Sequence, residues 1–239
     1  MARAVILDYN GVIVNDEPLH LRAFQGVLAG EGIRLDDEDY FARYLGLSDR
    51  RIAIDALKRL GGKDGRYGED ELDDAVDHIL ARKAMAYRDL VRRDLPECPG
   101  APEFVRRAAA RFPVAVASGA LRVEVEDGLY RLGIRDEITA VVAIEDVARG
   151  KPDPETFLRA RDFLIRICTT SGAPLPLDAA EPSASFLVVE DSPAGLAAAR
   201  AAWMPAVGVT TSRPAGEMKP AAMVVASLAD LDPETIAGI

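Results

Sequence analysis

The sequence predicts an α/β fold: a doubly wound domain on a parallel sheet, with a second, smaller helical domain inserted after the first strand. Two observations carry this prediction: short apolar runs recur along the chain with helical segments between them, and one long stretch shows helical pattern alone. Because the apolar runs are continuous, they are typical of strands buried on both faces of a parallel sheet. Six runs are present: Arg3–Leu7, Pro113–Ala117, Ile138–Ile144, Phe186–Val189, Ala206–Val209 and Met223–Val225.

Helical segments separate these runs from about residue 100 onward. Apolar residues at helical spacing mark four of them: Ala101–Phe112, Arg122–Leu132, Pro154–Ile167 and Pro193–Ala202. Repeated alternation of strand and helix favours a parallel sheet with helices on both faces.

The stretch from Asp16 to Asp94 breaks this alternation, since it contains no convincing strand and includes a glycine-rich segment at 61–68. We therefore predict a core domain formed by residues 1–15 and 96–239, and a helical domain formed by residues 16–95.

The composition excludes several classes of partner. The 239 residues include 39 acidic and 29 basic side chains, for a formal net charge of −10. Such an acidic balance argues against nucleic-acid binding and against docking on anionic membranes. Two cysteines, Cys98 and Cys168, fit neither a metal-ligand spacing nor a disulfide framework. With no apolar run of about 18 residues or signal-peptide pattern, we expect a cytoplasmic protein with no membrane partner.

Polar residues follow three of the predicted strands directly. Asp8 ends the first run, Ser118 ends the second, and Glu190 and Asp191 end the fourth. Ligands of open α/β sheets bind beyond the carboxyl ends of the strands, so these side chains are expected to converge. A fourth element, G-K-P-D-P-E at 150–155, places Lys151 just before a helix that we expect to start at Pro154, with Asp153 as its N-cap.

Taken singly, each of these residues also fits an ordinary structural role. An Asp or Ser after a strand is commonly a turn or cap residue, and a lone lysine is commonly a solvated side chain. The conjunction is more informative: a carboxylate, a hydroxyl, a lysine and a carboxylate pair occur in order at successive strand ends.

Four segments resemble the motifs of the haloacid dehalogenase superfamily, in particular the β-phosphoglucomutase-like phosphatases with an inserted helical cap. The segments are D-Y-N-G-V-I-V-N-D-E-P-L-H at 8–20, A-S-G-A at 117–120, G-K-P-D-P-E at 150–155 and V-V-E-D-S-P-A-G at 188–195. The resemblance spans essentially the whole chain. It implies a Rossmann-like core with an all-α cap, and a phosphatase that acts on a small phosphorylated substrate.

The resemblance also implies how phosphoryl transfer would proceed. Asp8 would attack phosphorus to form an aspartyl-phosphate. A hard cation would offset the repulsion between carboxylate and phosphate, and the oxygens of Asp8, Glu190 and Asp191, with the main-chain carbonyl of Asn10, suit Mg²⁺.

The remaining site residues follow from the same motifs. Lys151 would neutralise the nucleophile and the phosphoryl group, while Ser118 and the backbone at Gly119 would bind phosphoryl oxygens. From the cap, Arg50 and its neighbour Arg51 would reach toward an anionic group of the substrate. His20 ends the first motif and is a further candidate substrate contact.

Asn10 departs from the family pattern, which places a second Asp two residues after the nucleophile as general acid and base. A carboxamide does not titrate near neutral pH, and loss of such a group typically costs about 10²–10⁴ in rate. His20, Asp16 or Glu17 could substitute as the acid and base. We therefore predict a weakened or specialised Mg²⁺-dependent phosphatase.

Other functions stay open at this point. A dehalogenase would not need the Glu190–Asp191 pair, and a phosphonate-cleaving enzyme would need a lysine in the cap segment Leu45–Arg51, which has none. A β-phosphoglucomutase-like mutase would need the missing acid at least as much as a phosphatase does. A non-catalytic binder of a phosphorylated metabolite would not need it. We expect a monomer or a weak dimer.

Overall fold

The computed structural model describes residues 1–44, 47–60, 69–177 and 179–239. These residues form two compact units, Met1–Asn15 with Pro96–Ile239 and Asp16–Leu95. The glycine-rich segment 61–68 and the first two residues of the cap segment, Leu45 and Gly46, lie outside the described residues.

The larger unit contains a six-stranded sheet in which every neighbouring pair of strands is parallel, in the order β3-β2-β1-β4-β5-β6. The strands are β1 (Ala4–Leu7), β2 (Val114–Ala117), β3 (Ala140–Val142), β4 (Phe186–Glu190), β5 (Ala206–Val209) and β6 (Met223–Val225). The chain starts in the middle of the sheet and winds outward in both directions. This is the predicted doubly wound topology.

The α-helices of the described chain are α1 (Glu17–Gly30), α2 (Asp37–Arg43), α3 (Asp49–Asp55), α4 (Glu69–Arg93), α5 (Ala101–Ala109), α6 (Arg122–Arg131), α7 (Glu155–Thr170), α8 (Pro193–Ala201) and α9 (Pro233–Ala237). A π-helical turn, Ala56–Leu60, continues α3. The first four helices form the smaller unit, and the other five belong to the larger one.

Burial explains why the apolar runs become strands. The side chains of β1, β2, β4 and β5 are all buried, because helices cover the sheet on both faces. The edge strand β6 is only partly buried. The third predicted strand is shorter than expected, since a 3₁₀ turn at Ile144–Asp146 ends it early.

The start of α7 differs slightly from the sequence prediction. The helix begins at Glu155, so Pro154 is the residue that precedes it. The prediction that Asp153 is the N-cap is therefore wrong by one position, although the Asp153 carboxylate accepts a hydrogen bond from the Glu155 amide at 3.0 Å.

The smaller unit has its own apolar core. Phe24 and Leu28 of α1 are buried together with Tyr40 of α2, Tyr44 just after α2, and Ile52 of α3. The helices of the smaller unit therefore bury their apolar side chains against one another.

A buried polar network also lies within the smaller unit. Lys83 is 2% exposed, and its Nζ lies 2.6 Å from Asp49 Oδ2 and 2.5 Å from His20 Nδ1. Since an ammonium group can only donate, Nδ1 of His20 is an acceptor and its proton is on Nε2, which faces Asp16 Oδ2 at 3.2 Å. Tyr87 completes the network, because its hydroxyl donates to Asp16 at 2.6 Å and its ring stacks on His20.

Cys98 and Cys168 are both buried, and no disulfide links them in the part of the chain that the structure describes. Among the helices described, none has the length and apolar character needed to cross a membrane.

Candidate active site

Asp8 follows β1 at the carboxyl edge of the sheet. Its amide donates to the Val189 carbonyl of β4 at 2.9 Å, so the parallel pairing of β1 and β4 continues up to this residue. The Asp8 carboxylate is largely buried, and its Oδ1 accepts a hydrogen bond from Lys151 Nζ at 2.7 Å.

A tight turn carries the chain away from Asp8. The Tyr9 carbonyl accepts from the amides of Ile13 and Val14, and Gly11 adopts a left-handed φ of 74°. A Cβ at Gly11 would lie 1.8 Å from Asp191 Oδ2. Only glycine therefore allows the backbone to approach this carboxylate so closely.

Lys151 is held over the site by its own loop. The Glu155 carboxylate accepts hydrogen bonds from the amides of Ala148 and Arg149, each at 3.1 Å, which ties the loop to the first turn of α7. The Lys151 ammonium also lies 4.7 Å from the centroid of the Phe157 ring, a cation–π geometry.

Glu190 is fully buried at the end of β4, and both of its oxygens are hydrogen-bonded. Oε1 accepts from Lys151 Nζ at 2.7 Å, while Oε2 accepts from the Asp191 amide and from the amide and hydroxyl of Ser192 at 2.8–2.9 Å. The carboxylate packs against Gly195, where a Cβ would lie 1.7 Å from Oε1. Glu190 therefore links Lys151 to the N-terminus of α8.

Ser118 and Asn10 face each other across the sheet edge. The Ser118 hydroxyl accepts from the Ala120 amide at 3.0 Å, and its oxygen lies 3.4 Å from Asn10 Oδ1. Gly119 is exposed, and a Cβ added there would meet open space. The sheet edge thus presents backbone at Gly119 and polar side chains at positions 10 and 118.

Three carboxylates form a cluster that could hold a metal ion. Asp8, Glu190 and Asp191 each offer an oxygen, and these oxygens lie within 4.8 Å of one another. Lys151 offsets only one of the three negative charges. A buried, oxygen-only set with excess negative charge fits a hard divalent cation such as Mg²⁺.

The electrostatics of the cluster follow from this crowding. Burial, reinforced by the charge of Glu190 and opposed by Lys151, raises the pKa of Asp8 to about 6. Burial and the charges of Asp8 and Glu190 raise the pKa of Asp191 to about 8. Burial opposes protonation of Lys151, but the two carboxylates outweigh it and raise the pKa of the ammonium group.

The predicted site residues of the helical unit have other contacts in the structure. The Arg50 guanidinium donates to Asp77 Oδ1 at 2.6 Å and to Asp73 Oδ1 at 2.8 Å, both on α4. Both ring nitrogens of His20 face Asp16 and Lys83, as described above. Their assignment to substrate binding stays a prediction.

Two residues at the larger unit's site were missed by the sequence analysis. Ser212, three residues after β5, donates a hydrogen bond from its hydroxyl to Asp191 Oδ2. Glu155 holds the loop of Lys151. The signal for Ser212 was available, because T-T-S follows an apolar strand just as Asp8 and Ser118 do.

A comparison with models of known protein families agrees with the fold and with the geometry of the candidate site. Residues 2–202 match the model of the haloacid dehalogenase-like hydrolases, so the chain belongs to this family of enzymes. The predicted resemblance to its β-phosphoglucomutase-like branch is confirmed by similarities over nearly the whole chain.

Two relatives and one solved structure illustrate the similarity. The β-phosphoglucomutase of Bacillus subtilis is 29% identical over 237 residues, covering 98% of this chain and 93% of the relative. The fructose-1-phosphate phosphatase of Escherichia coli is 32% identical over 206 residues, covering 86% and 95%. The structure of β-phosphoglucomutase from Clostridium difficile superposes with a TM-score of 0.71 at 24% identity, covering 100% and 96%. It confirms the parallel-sheet core with a helical cap.

Replacing Gly11 by Ala should destabilise the protein by more than about 1 kcal/mol, because the new Cβ both occupies a left-handed conformation and meets Asp191. The measurement is urea unfolding without metal. Gly172→Ala is the matched control, since Gly172 has a φ of 80° but open space where a Cβ would lie. If both variants lost the same free energy of unfolding, the close approach of the Gly11 backbone to Asp191 would impose no constraint on residue 11.

Replacing Asp191 by Asn should stabilise the metal-free protein in a pH-dependent way. Because its pKa is raised in the folded chain, the Asp191 carboxyl favours folding below its ordinary pKa of 3.8 and loses that contribution as the pH rises to about 8. The advantage of the variant should therefore grow from about pH 4 to about pH 8 in urea unfolding with EDTA. Asp136→Asn, at an exposed carboxylate, is the control. The same pH-dependent gain there would contradict the explanation.

Proposed function

We propose that this protein is a Mg²⁺-dependent phosphatase of small phosphorylated metabolites of the sugar-phosphate type, with weakened acid–base catalysis. One observation carries the proposal: the Asp8 carboxylate lies 2.7 Å from Lys151 inside a cluster of buried carboxylates at the carboxyl edge of the sheet. The Escherichia coli relative, a fructose-1-phosphate phosphatase, supports the substrate class.

The cation would be held mainly by Asp8 and Asp191. Glu190 already accepts four hydrogen bonds, so it contributes its charge and orients Lys151 more than it offers a free oxygen. The main-chain carbonyl of Asn10 is the further ligand that the family motif implies. When bound, Mg²⁺ would neutralise the phosphate and lower the repulsion between it and the nucleophile.

Asp8 would act as the nucleophile. One of its oxygens attacks phosphorus, the bond from phosphorus to the leaving oxygen breaks, and an aspartyl-phosphate forms. Lys151 balances the charge of the nucleophile and of the phosphoryl oxygens. The Ser118 hydroxyl and the backbone at Gly119 would bind these oxygens from the other side.

Asn10 is the exception in this otherwise complete set. An alkoxide leaving group needs a proton, and the water that later attacks the aspartyl-phosphate must lose one. Near neutral pH, a carboxamide can neither donate the first proton nor accept the second. The proposed enzyme is therefore best suited to esters whose leaving groups are stable as anions.

Three residues of the smaller unit, Asp16, Glu17 and His20, are the alternative acids and bases. Each makes contacts inside its own unit: Glu17 accepts from the Tyr40 hydroxyl at 2.6 Å, and Asp16 and His20 contact each other. These contacts hold the three side chains in place and do not support a proton-transfer role for any of them.

The Asn10→Asp variant tests this account of the chemistry. Phosphorylation of Asp8 by an alkyl sugar phosphate should be about 10²-fold faster in the variant, whereas phosphorylation by an activated aryl phosphate should change little, because its leaving group needs no proton. The measurement is single-turnover release of the leaving alcohol or phenol with Mg²⁺ present, with Asp8→Asn as the inactive control. An equal gain on both substrates, or none on the alkyl ester, would disprove the role assigned to position 10.

The lifetime of the phosphorylated protein gives a second prediction. Since Asn10 cannot serve as a base, the phosphoryl group on Asp8 should persist about 10²-fold longer than in the Asn10→Asp variant. Intact-mass spectrometry after rapid mixing with an aryl phosphate and Mg²⁺ measures this lifetime. A phosphoryl adduct on the Asp8→Asn variant would show that a residue other than Asp8 is phosphorylated.

The same experiments separate catalysis from binding alone. A non-catalytic binder, which Asn10 favours as the second candidate, would bind phosphate esters tightly in the presence of Mg²⁺. It would give no adduct on Asp8 and no phosphate over a long incubation.

A further inference from the structure

We propose that Ser212 is a positioning residue for the cation site: its hydroxyl fixes one oxygen of Asp191 and leaves the other oxygen for the cation. This inference rests on the proposed function, because it takes the carboxylate cluster to be a Mg²⁺ site.

The hydrogen bond gives the direction of the interaction. Ser212 Oγ contacts Asp191 Oδ2. In the ionised form that would bind a cation, the Asp191 carboxylate can only accept, so the hydroxyl is the donor. A hydrogen bond to a charged acceptor is stronger than one between neutral groups, which makes it an effective constraint on the orientation of the carboxylate.

The turn after β1 makes a second contact that constrains Asp191 Oδ2. The backbone at Gly11 approaches so closely that a Cβ there would lie 1.8 Å from Asp191 Oδ2 and 2.9 Å from Ser212 Oγ. The turn after β1, the end of β4 and the loop after β5 therefore meet at Oδ2. With Oδ2 enclosed, Oδ1 is the oxygen that remains for ligation.

Rotation of the Asp191 carboxylate is what the hydroxyl would prevent. An unrestrained carboxylate loses rotational freedom when it binds a cation, and that loss weakens binding. A hydrogen-bond partner that orients the carboxylate before the cation binds removes this cost. Loss of such a partner typically lowers metal affinity about 10- to 100-fold.

Calorimetric titration of the full chain with Mg²⁺, without substrate, tests the proposal. Ser212→Ala should bind Mg²⁺ at least about 10-fold more weakly than wild type. Ser212→Thr, which keeps the hydroxyl, should restore most of the affinity. Thr211→Ala is the matched control, since it removes a neighbouring hydroxyl from the same loop.

Metal-free urea unfolding separates positioning from simple loop packing. Because the lost hydrogen bond is partly buried, Ser212→Ala should lower the metal-free free energy of unfolding by about 1–3 kcal/mol. A positioning role predicts a loss of Mg²⁺ affinity in addition to this loss of stability. A loss of stability without a loss of Mg²⁺ affinity would overturn the proposal, and so would failure of Ser212→Thr to restore binding.

Failure of this inference can be told apart from failure of the proposed function. If wild type and Ser212→Ala bind Mg²⁺ equally and the wild type hydrolyses phosphate esters, only the role of Ser212 is lost. If wild type does not bind Mg²⁺ at all, both proposals are overturned.

Discussion

Three buried carboxylates around one lysine ammonium group set the main physical constraint on the larger unit. Like charges that lie within 4.8 Å of one another in a buried position repel strongly, and burial removes the water that would otherwise stabilise them. The pKa values of Asp8 and Asp191 are raised for this reason. Because the carboxylates repel one another, the backbone and its hydrogen bonds must hold them in place.

The parallel sheet supplies those constraints. Neighbouring strands β1 and β4 end side by side, which brings Asp8 and the Glu190–Asp191 pair to one edge. Two glycines then permit contacts that any side chain would block: Gly11 against Asp191 and Gly195 against Glu190. The stability lost in crowding the charges is thus offset by the packing of the buried apolar strands β1, β2, β4 and β5.

The strands and most of the site were predictable from the sequence because their signals are local. Continuous apolar runs mark the buried strands, and the polar residue at the end of a run marks the sheet edge, as with Asp8 and Ser118. Contacts that depend on the path of a loop or the reach of a long side chain are not local. Ser212 is one of three successive hydroxyl residues after β5, and only the loop's path decides which of them meets Asp191. The contacts of the Arg50 guanidinium with Asp73 and Asp77 are likewise set by the position of α4, and no local pattern reveals them.

The architecture around position 10 does not depend on an acid at that position. The turn after β1 depends on the Tyr9 carbonyl and on Gly11, and neither contact needs a carboxylate at position 10. Replacing an acid by its amide also removes one negative charge from an edge that already holds three. Under the proposed function, the same change that would weaken proton transfer would also lessen the repulsion near Asp8, so the architecture of the site could persist in a slower enzyme.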